Sequence, residues 1–164
     1  MRVYLAAPLF TQVERRWNRE LARLIEERVE GLEVVLPQDY RVDGRFNDRQ
    51  RMAELFKMCV QDVAAADALD AILDGADADS GVAFEMGYAH ARGTPIVGVR
   101  TDFRQSQERG VNMMVSRPCA EFVCRMSFNE SVEALADDIA RKLALLAESA
   151  GGGGASVQGK SPGE

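Results

Sequence analysis

The chain has 164 residues, of which 46% are hydrophobic and 28% charged, a composition typical of one globular domain with a single core. Its formal net charge of -6 argues against nucleic acid as a partner, because binding to a polyanion needs clustered Lys and Arg side chains. No apolar run reaches the roughly 20 residues of a membrane helix, and the N-terminus lacks the pattern of a signal peptide. We therefore expect a soluble, cytoplasmic protein with no membrane partner and with a small or weakly charged ligand.

Strands and helices alternate along the chain. Each predicted strand is a short apolar run, and each predicted helix has apolar residues at helical spacing. The predicted strands cover residues 3–7, 32–36, 68–73, 96–99 and 120–124. The predicted helices cover residues 13–29, 48–66, 81–92 and 131–147, with a loop at 38–47 and a further loop with a short helix through 105–114.

This alternation predicts an α/β fold, in which a single domain has a five-stranded parallel sheet flanked by helices in the doubly wound, flavodoxin-like or Rossmann-like arrangement. We place the domain at residues 1–148. Residues 149–164 include four consecutive glycines and few apolar side chains. A segment of this composition cannot offset its ordering entropy by burial, so we predict a flexible Gly-rich C-terminal tail.

Several common kinds of site are missing from the sequence. Cys59, Cys119 and Cys124 form no CxxC pair, so we expect reduced thiols rather than a disulfide framework or a zinc site. Neither GxxxxGK[ST] nor GxGxxG is present, which removes the common phosphate cradles for ATP and NAD. The single histidine, His90, lies late in a predicted helix and is expected to be structural.

Ligands of open parallel sheets bind at the carboxyl ends of the strands, which here selects residues 8–11, 74–85 and 100–112. The second of these segments places several carboxylates at a helix entrance. Asp79 or Ser80 is a good N-cap, and acidic side chains are stabilised near a helix N-terminus. Helix capping is therefore a sufficient explanation for most of these carboxylates.

Glu85 differs from these carboxylates because its neighbours in the stretch VAFEMG are small and apolar. A carboxylate in a semi-apolar cleft can act as a nucleophile or a general base. Asp62 also lies within an apolar stretch, at residues 59–66. For Asp62, a structural role in pairing with a backbone donor is an equal alternative.

Three segments resemble the nucleoside 2-deoxyribosyltransferase family: YLAAPLF at residues 4–10, DSGVAFEMGYA at 79–89 and VNMM at 111–114. The resemblance follows the order of the elements over roughly residues 1–145. Its most specific part is the middle segment, in which a carboxylate precedes Glu85 by six positions.

The resemblance implies a mechanism without cofactor or metal. Glu85 would attack the anomeric carbon, displace the base and form a covalent 2-deoxyribosyl ester, which a second base would then attack with net retention. Tyr4 matches the family tyrosine whose hydroxyl holds the nucleophile. Asp62 matches the family aspartate that donates a proton to the departing base.

The resemblance also implies how the substrate is held. Phe10 matches an aromatic position beside the base, and Gln38 would contact the base edge. Asp79 and Asn112 match the pair that grips the sugar 5′-hydroxyl. Asn112 and Met114 are expected to reach in from a neighbouring subunit, which implies a homo-oligomer, a dimer or a hexamer, with a shared active site.

The implied partners are 2′-deoxyribonucleosides and free nucleobases, and two alternatives stay open. A related branch of N-glycosidases hydrolyses 2′-deoxynucleoside 5′-monophosphates and has serines at the phosphate, where Asp79 would repel that group by on the order of 1 to 4 kcal/mol at about 4 Å. The second alternative is a noncatalytic nucleoside sensor. In some transferases of the family the chain ends in an aromatic residue that touches the base, whereas here the Gly-rich tail follows at that point. The preference of the enzyme for purine or pyrimidine bases therefore stays open.

Overall fold

The computed structural model describes residues 1–45, 48–104 and 107–151. The strands are β1 (Arg2–Ala6), β2 (Glu33–Val35), β3 (Ala68–Ile72), β4 (Ile96–Arg100) and β5 (Glu121–Cys124). The helices are α1 (Gln12–Arg28), α2 (Arg49–Ala65), α3 (Ser80–Arg92), α4 (Met113–Ser116) and α5 (Val132–Gly151), with a 3-10 turn at Pro37–Asp39.

The strands form one sheet in the order β2-β1-β3-β4-β5, and every neighbouring pair is parallel. The predicted doubly wound, five-stranded parallel sheet is therefore confirmed. The strand order reverses between β1 and β3, and doubly wound sheets open a ligand crevice at such a point, beyond the carboxyl ends of the strands.

Alternate side chains of β1 point into two separate cores, as the period of a strand requires. Val3 and Leu5 pack against α1 and α5, whereas Tyr4 and Ala6 pack against α2 and α3. The face that carries α2 and α3 is therefore the face on which the Tyr4 phenol lies.

The helix ends follow the capping patterns of their sequences. Thr11 and Glu14 form a reciprocal capping box at the start of α1. α3 ends at Gly93, whose φ of +77° suits glycine. His90 is exposed in the last turn of α3, where an imidazole suits the helix dipole.

The structure differs from the sequence prediction in three places. The loop at 38–47 begins inside a 3-10 turn, because Pro37 fixes its own φ and starts the turn. The short helix begins only at Met113, since Asn112 caps it. α5 continues to Gly151, so the first residues assigned to the tail are helical, and the rest of the predicted tail, 152–164, lies outside the described residues.

Asp70 in β3 is fully buried, and neither carboxylate oxygen has a hydrogen-bond partner within the described ranges. Its strand neighbours Leu5 and Val97 belong to the core under α1 and α5. Burial raises the pKa of Asp70 to about 8, so the side chain is held largely as a neutral acid at pH 7. In the part of the chain that the structure describes, no helix is long and apolar enough to cross a membrane.

Candidate active site

The Tyr4 hydroxyl donates a hydrogen bond to Glu85 Oε1 at 2.6 Å. Tyr4 is fully buried in the middle of β1. Glu85 lies in the second turn of α3, where Val82, Met86 and Ala89 face the sheet. Glu85 lies three residues after Val82 and four before Ala89, so its side chain stands beside this apolar stripe and can meet the phenol while staying half-buried.

The surroundings of Glu85 and Tyr4 shift the pKa values of both side chains. Burial raises the pKa of Glu85 to about 7, the hydrogen bond from Tyr4 opposes that rise, and the charge of Asp79 adds to it. Burial, and then the nearby Glu85 carboxylate, raise the pKa of Tyr4 far above its ordinary value. The Tyr4 hydroxyl therefore keeps its proton and remains a hydrogen-bond donor, whereas Glu85 gains or loses its proton near neutral pH.

Glu85 opens into a cavity of about 300 Å³ between α2 and α3. The Phe56 and Phe84 rings lie in its wall with their centroids 5.8 Å apart. The lining is mostly apolar, comprising Phe56, Cys59, Val60, Val63, Ser80, Gly81, Phe84, Glu85 and Tyr88. A larger surface cavity of about 420 Å³ lies along α1, but Glu85 is not part of its lining.

Asp79 is the N-cap of α3. Its Oδ1 accepts from the backbone N–H groups of Gly81 at 2.8 Å and Val82 at 3.2 Å. Helix capping therefore accounts for one of the two carboxylate oxygens of Asp79. The other oxygen has no hydrogen-bond partner among the described residues, and the charge of the group reaches Glu85.

The loop between β3 and α3 is fixed by a buried cation that the sequence interpretation did not single out. The Arg100 guanidinium is 1% exposed and donates to the carbonyl oxygens of Leu73 and, at 2.9 Å, Gly75. Asp74 Oδ1 accepts from the Thr101 N–H at 2.6 Å. A charge at the end of the apolar strand IVGVR is the signal that could have revealed this arrangement.

Asp62 does not line the cavity that holds Glu85. Its Oδ1 accepts from Arg2 Nη2 at 2.9 Å, and its Oδ2 accepts from the Tyr40 hydroxyl. Asp62 lies in the last turn of α2 beside the start of β1, near the amino ends of the strands rather than their carboxyl ends. Its role as a proton donor to the base therefore stays a prediction.

Cys59 lies one turn before Asp62 on α2 and does line the cavity. Burial raises the pKa of its thiol, contact with Tyr4 opposes that rise, and the charge of Glu85 adds to it. Sequence interpretation treated all three cysteines as unremarkable reduced thiols. The three are indeed free, but only Cys59 belongs to the lining of this cavity.

The two residues predicted to contact the base lie apart from the Glu85 cavity. Phe10 is 71% exposed on the loop after β1. The Gln38 amide is bound to α1, since it donates to the Arg15 carbonyl at 2.9 Å and accepts from Asn18 Nδ2 at 3.2 Å. Contact of either side chain with a base stays a prediction.

Asn112 and Met114 lie at the start of α4 and are not part of the cavity lining. Asn112 Oδ1 accepts from the Met114 N–H at 2.8 Å, so Asn112 caps the helix. The Met114 side chain is 73% exposed. An exposed position of this kind is compatible with a contribution to a neighbouring subunit's site, which stays a prediction.

Three solved structures are similar to this chain. A conserved protein from Enterococcus faecalis V583 is 27% identical, with a TM-score of 0.66, and the match covers 87% of this chain and 98% of that one. A 2-deoxyribosyltransferase from Bacillus psychrosaccharolyticus is 19% identical, with a TM-score of 0.67 and coverage of 84% and 91%. A CMP N-glycosidase from Clostridium botulinum is 18% identical, with a TM-score of 0.55 and coverage of 88% and 99%. The last two similarities show a shared fold. A comparison with curated protein sequences gives no match.

The fold and the Glu85–Tyr4 pair define a doubly wound α/β protein with a half-buried carboxylate in a cleft, an arrangement suited to enzymes that use a carboxylate nucleophile. The sequence model of the family described as nucleoside 2-deoxyribosyltransferase matches residues 3–117. The chain belongs to the nucleoside 2-deoxyribosyltransferase family, which confirms the resemblance seen in the sequence. It is an enzyme of the nucleoside deoxyribosyltransferase class.

Proposed function

We propose that this enzyme transfers 2-deoxyribose between nucleobases by a retaining double displacement, with Glu85 as the nucleophile. The observation that carries the proposal is the 2.6 Å hydrogen bond from the Tyr4 hydroxyl to Glu85 Oε1 at the cavity between α2 and α3. It orients the carboxylate and leaves Oε2 for attack.

In the first step, Glu85 Oε2 forms a bond to the anomeric carbon while the N-glycosidic bond breaks, and the departing base takes the electron pair and a proton for which Asp62 is the proposed donor. In the second step, a nitrogen of another base attacks the same carbon, the ester oxygen departs as the carboxylate, and the incoming base returns its proton to Asp62. Two inversions give net retention. Glu85 must be ionised for the first step, and its pKa of about 7 makes a large fraction ionised at neutral pH.

The sugar 5′ end is proposed to lie at Asp79. The carboxylate oxygen that does not cap α3 can accept a hydrogen bond from a 5′-hydroxyl. It would repel a 5′-phosphate by on the order of 1 to 4 kcal/mol at about 4 Å. The proposed substrates are therefore free 2′-deoxyribonucleosides rather than their monophosphates.

The base is proposed to lie beside Phe10 and Gln38. Asn112 and Met114 of a neighbouring subunit are proposed to complete the sugar site, which makes the active form a homo-oligomer. The exposure of Phe10 and Met114 supports this arrangement, because both side chains are open to a ligand or a partner.

Hydrolysis is the second candidate, because the same covalent ester gives net N-glycosidase activity if water replaces the incoming base. Incubation of the protein with deoxyinosine and adenine, and separately with a deoxynucleoside monophosphate alone, distinguishes the two. Deoxyadenosine formation is the expected result. Turnover of the monophosphate without exchange would replace the transferase proposal by the hydrolase.

Glu85→Gln tests the nucleophile. We expect a loss of exchange by several orders of magnitude and no covalent sugar adduct by mass spectrometry. Glu54→Gln is the matched control, since Glu54 is an exposed residue of α2 outside the cavity lining. A wild-type protein that gives neither turnover nor adduct with any deoxynucleoside would instead be a noncatalytic binding protein.

A further inference from the structure

Asn18 is a buried polar residue of α1 that the proposed chemistry does not use. It is 4% exposed, and its Nδ2 donates to the Pro8 carbonyl at 2.9 Å and to Gln38 Oε1 at 3.2 Å. Gln38 in turn donates from Nε2 to the Arg15 carbonyl at 2.9 Å. These three hydrogen bonds join α1 to the loop after β1 and to the 3-10 turn after β2.

Both side-chain amides in this row have one favourable orientation, because a backbone carbonyl can only accept a hydrogen bond. The Pro8 carbonyl therefore requires the NH2 group of Asn18. The Arg15 carbonyl likewise requires the NH2 group of Gln38, so Gln38 Oε1 is the group that faces Asn18. If the Gln38 amide turned over, two donors would meet at Asn18 and two acceptors at Arg15.

The row leaves part of the Gln38 amide unused. An amide has two N–H groups and an oxygen with two lone pairs, and the contacts of Gln38 with the described residues use one N–H and one lone pair. One donor and one acceptor therefore remain, and these are the groups with which a glutamine side chain binds the edge of a nucleobase. Gln38 can thus bind a base without breaking its contacts with α1.

We propose that Asn18 is a positioning residue that acts through Gln38: it holds the Gln38 amide in the orientation in which the free N–H and lone pair face the base. The consequence for exchange rests on the proposed function, in which the base lies beside Gln38, but the row of hydrogen bonds does not. An amide that is ordered before the base arrives costs less entropy on binding. Asn18 should therefore lower the KM for the base and leave kcat unchanged.

The first experiment observes the Gln38 amide without turnover. Side-chain amide signals of isotope-labelled protein are recorded by NMR, and those of Gln38 are assigned by their loss in Gln38→Ala. Asn18→Leu has a similar volume but cannot donate, so the Gln38 amide hydrogens should exchange with water about twofold to tenfold faster than in the wild type. Asn18→Ala removes the same donors without a branched side chain and should give the same result. Wild-type exchange in these variants would overturn the proposal.

The second experiment measures the kinetics of exchange between deoxyinosine and adenine. In Asn18→Leu, the KM for adenine should rise about threefold to tenfold, whereas kcat should change by less than about twofold. In a Gln38→Ala background, Asn18→Leu should have no further effect on this KM, because Asn18 acts through Gln38. Independent effects of the two substitutions would overturn the proposal.

Arg19→Leu is the matched control. Arg19 Nη2 donates to Asp39 Oδ1 at 2.8 Å and so joins α1 to the same 3-10 turn, but this bond does not involve the Gln38 amide. Arg19→Leu should leave the amide exchange and the KM for adenine at their wild-type values. Shifts equal to those of Asn18→Leu would show that only the link between the two elements matters, which overturns the proposal.

The two experiments separate the positioning of Gln38 from the proposed place of the base. If Asn18→Leu speeds the amide exchange but Gln38→Ala leaves the KM for adenine unchanged, the positioning of Gln38 by Asn18 stands and the proposed contact between Gln38 and the base fails. If both measurements respond as expected, both proposals are supported.

Discussion

Arg2 and Asp62 join the start of β1 to the last turn of α2 through an ion pair in which Arg2 Nη2 donates to Asp62 Oδ1 at 2.9 Å. The other carboxylate oxygen accepts from the Tyr40 hydroxyl, which ties the loop after β2 to the same point. Asp62 therefore connects α2 with the start of β1 and with the loop after β2.

Asp62→Asn is expected to lower the free energy of unfolding by roughly 1 kcal/mol, since it weakens a partly exposed ion pair and a hydrogen bond. If Asp62 only joins these segments, kcat should change by less than about threefold. Urea unfolding and steady-state exchange kinetics measure the two effects, with Asp67→Asn as a second carboxylate variant near the start of β1. A fall in kcat of about a hundredfold or more at unchanged stability would instead support Asp62 as the proton donor to the base.

Tyr4→Phe removes the hydrogen bond that opposes the rise in the Glu85 pKa. The pKa of Glu85 should then rise above its value of about 7, so less of the carboxylate is ionised at neutral pH. We expect the acidic limb of kcat/KM to move upward by roughly one pH unit. Tyr88→Phe changes a tyrosine of the same cavity and should leave the limb in place; equal shifts in both variants would contradict the role of Tyr4.

Asp79→Asn keeps an N-cap side chain for α3 but removes the negative charge. The ratio of kcat/KM for a deoxynucleoside monophosphate to that for the free nucleoside should rise by about fivefold to several hundredfold, corresponding to a relieved repulsion of roughly 1 to 4 kcal/mol. The assays are best made near pH 9, because Asp79 also raises the pKa of Glu85. Asp77→Asn, an exposed carboxylate of the same loop, should leave the ratio unchanged. A ratio that does not move in Asp79→Asn would remove Asp79 from the 5′ end.

Protonation of Asp70 should make the free energy of unfolding depend on pH. Its pKa is about 8 in the folded state and near 4 in the unfolded chain. Below about pH 4 both states hold the proton. Between about pH 4 and 8 only the folded state holds it, so the free energy of unfolding falls with rising pH by up to roughly 1.4 kcal/mol per pH unit.

Asp70→Asn is therefore expected to be more stable than the wild type at pH 8 and to lose most of this slope. Urea unfolding at a series of pH values from 4 to 9 measures it. Asp43→Asn, at an exposed position, serves as the control. A wild-type slope that persists in Asp70→Asn would show that another group sets it.

The sequence predicted the order of the strands and helices because each strand is a short apolar run and each helix has apolar residues at helical spacing. The doubly wound fold follows from that order, since crossovers between parallel strands are right-handed. The setting of Glu85 was also visible in the sequence, because five apolar or small neighbours surround a single carboxylate on α3. The expected pairing of Glu85 with Tyr4 came from family resemblance, and the structure brings the two side chains together.

Tertiary structure decided what local pattern could not. Cys59 and Asp62 are three positions apart on α2, yet Cys59 lines the cavity whereas Asp62 pairs with Arg2. The sequence of α2 gives their spacing along the helix but not the rotation and depth at which the helix packs on the sheet. The same limit applies to Arg100 and Asp70. The carbonyl groups of Leu73 and Gly75 that Arg100 binds lie on a distant segment of the chain, and Asp70 has no hydrogen-bond partner among the described residues.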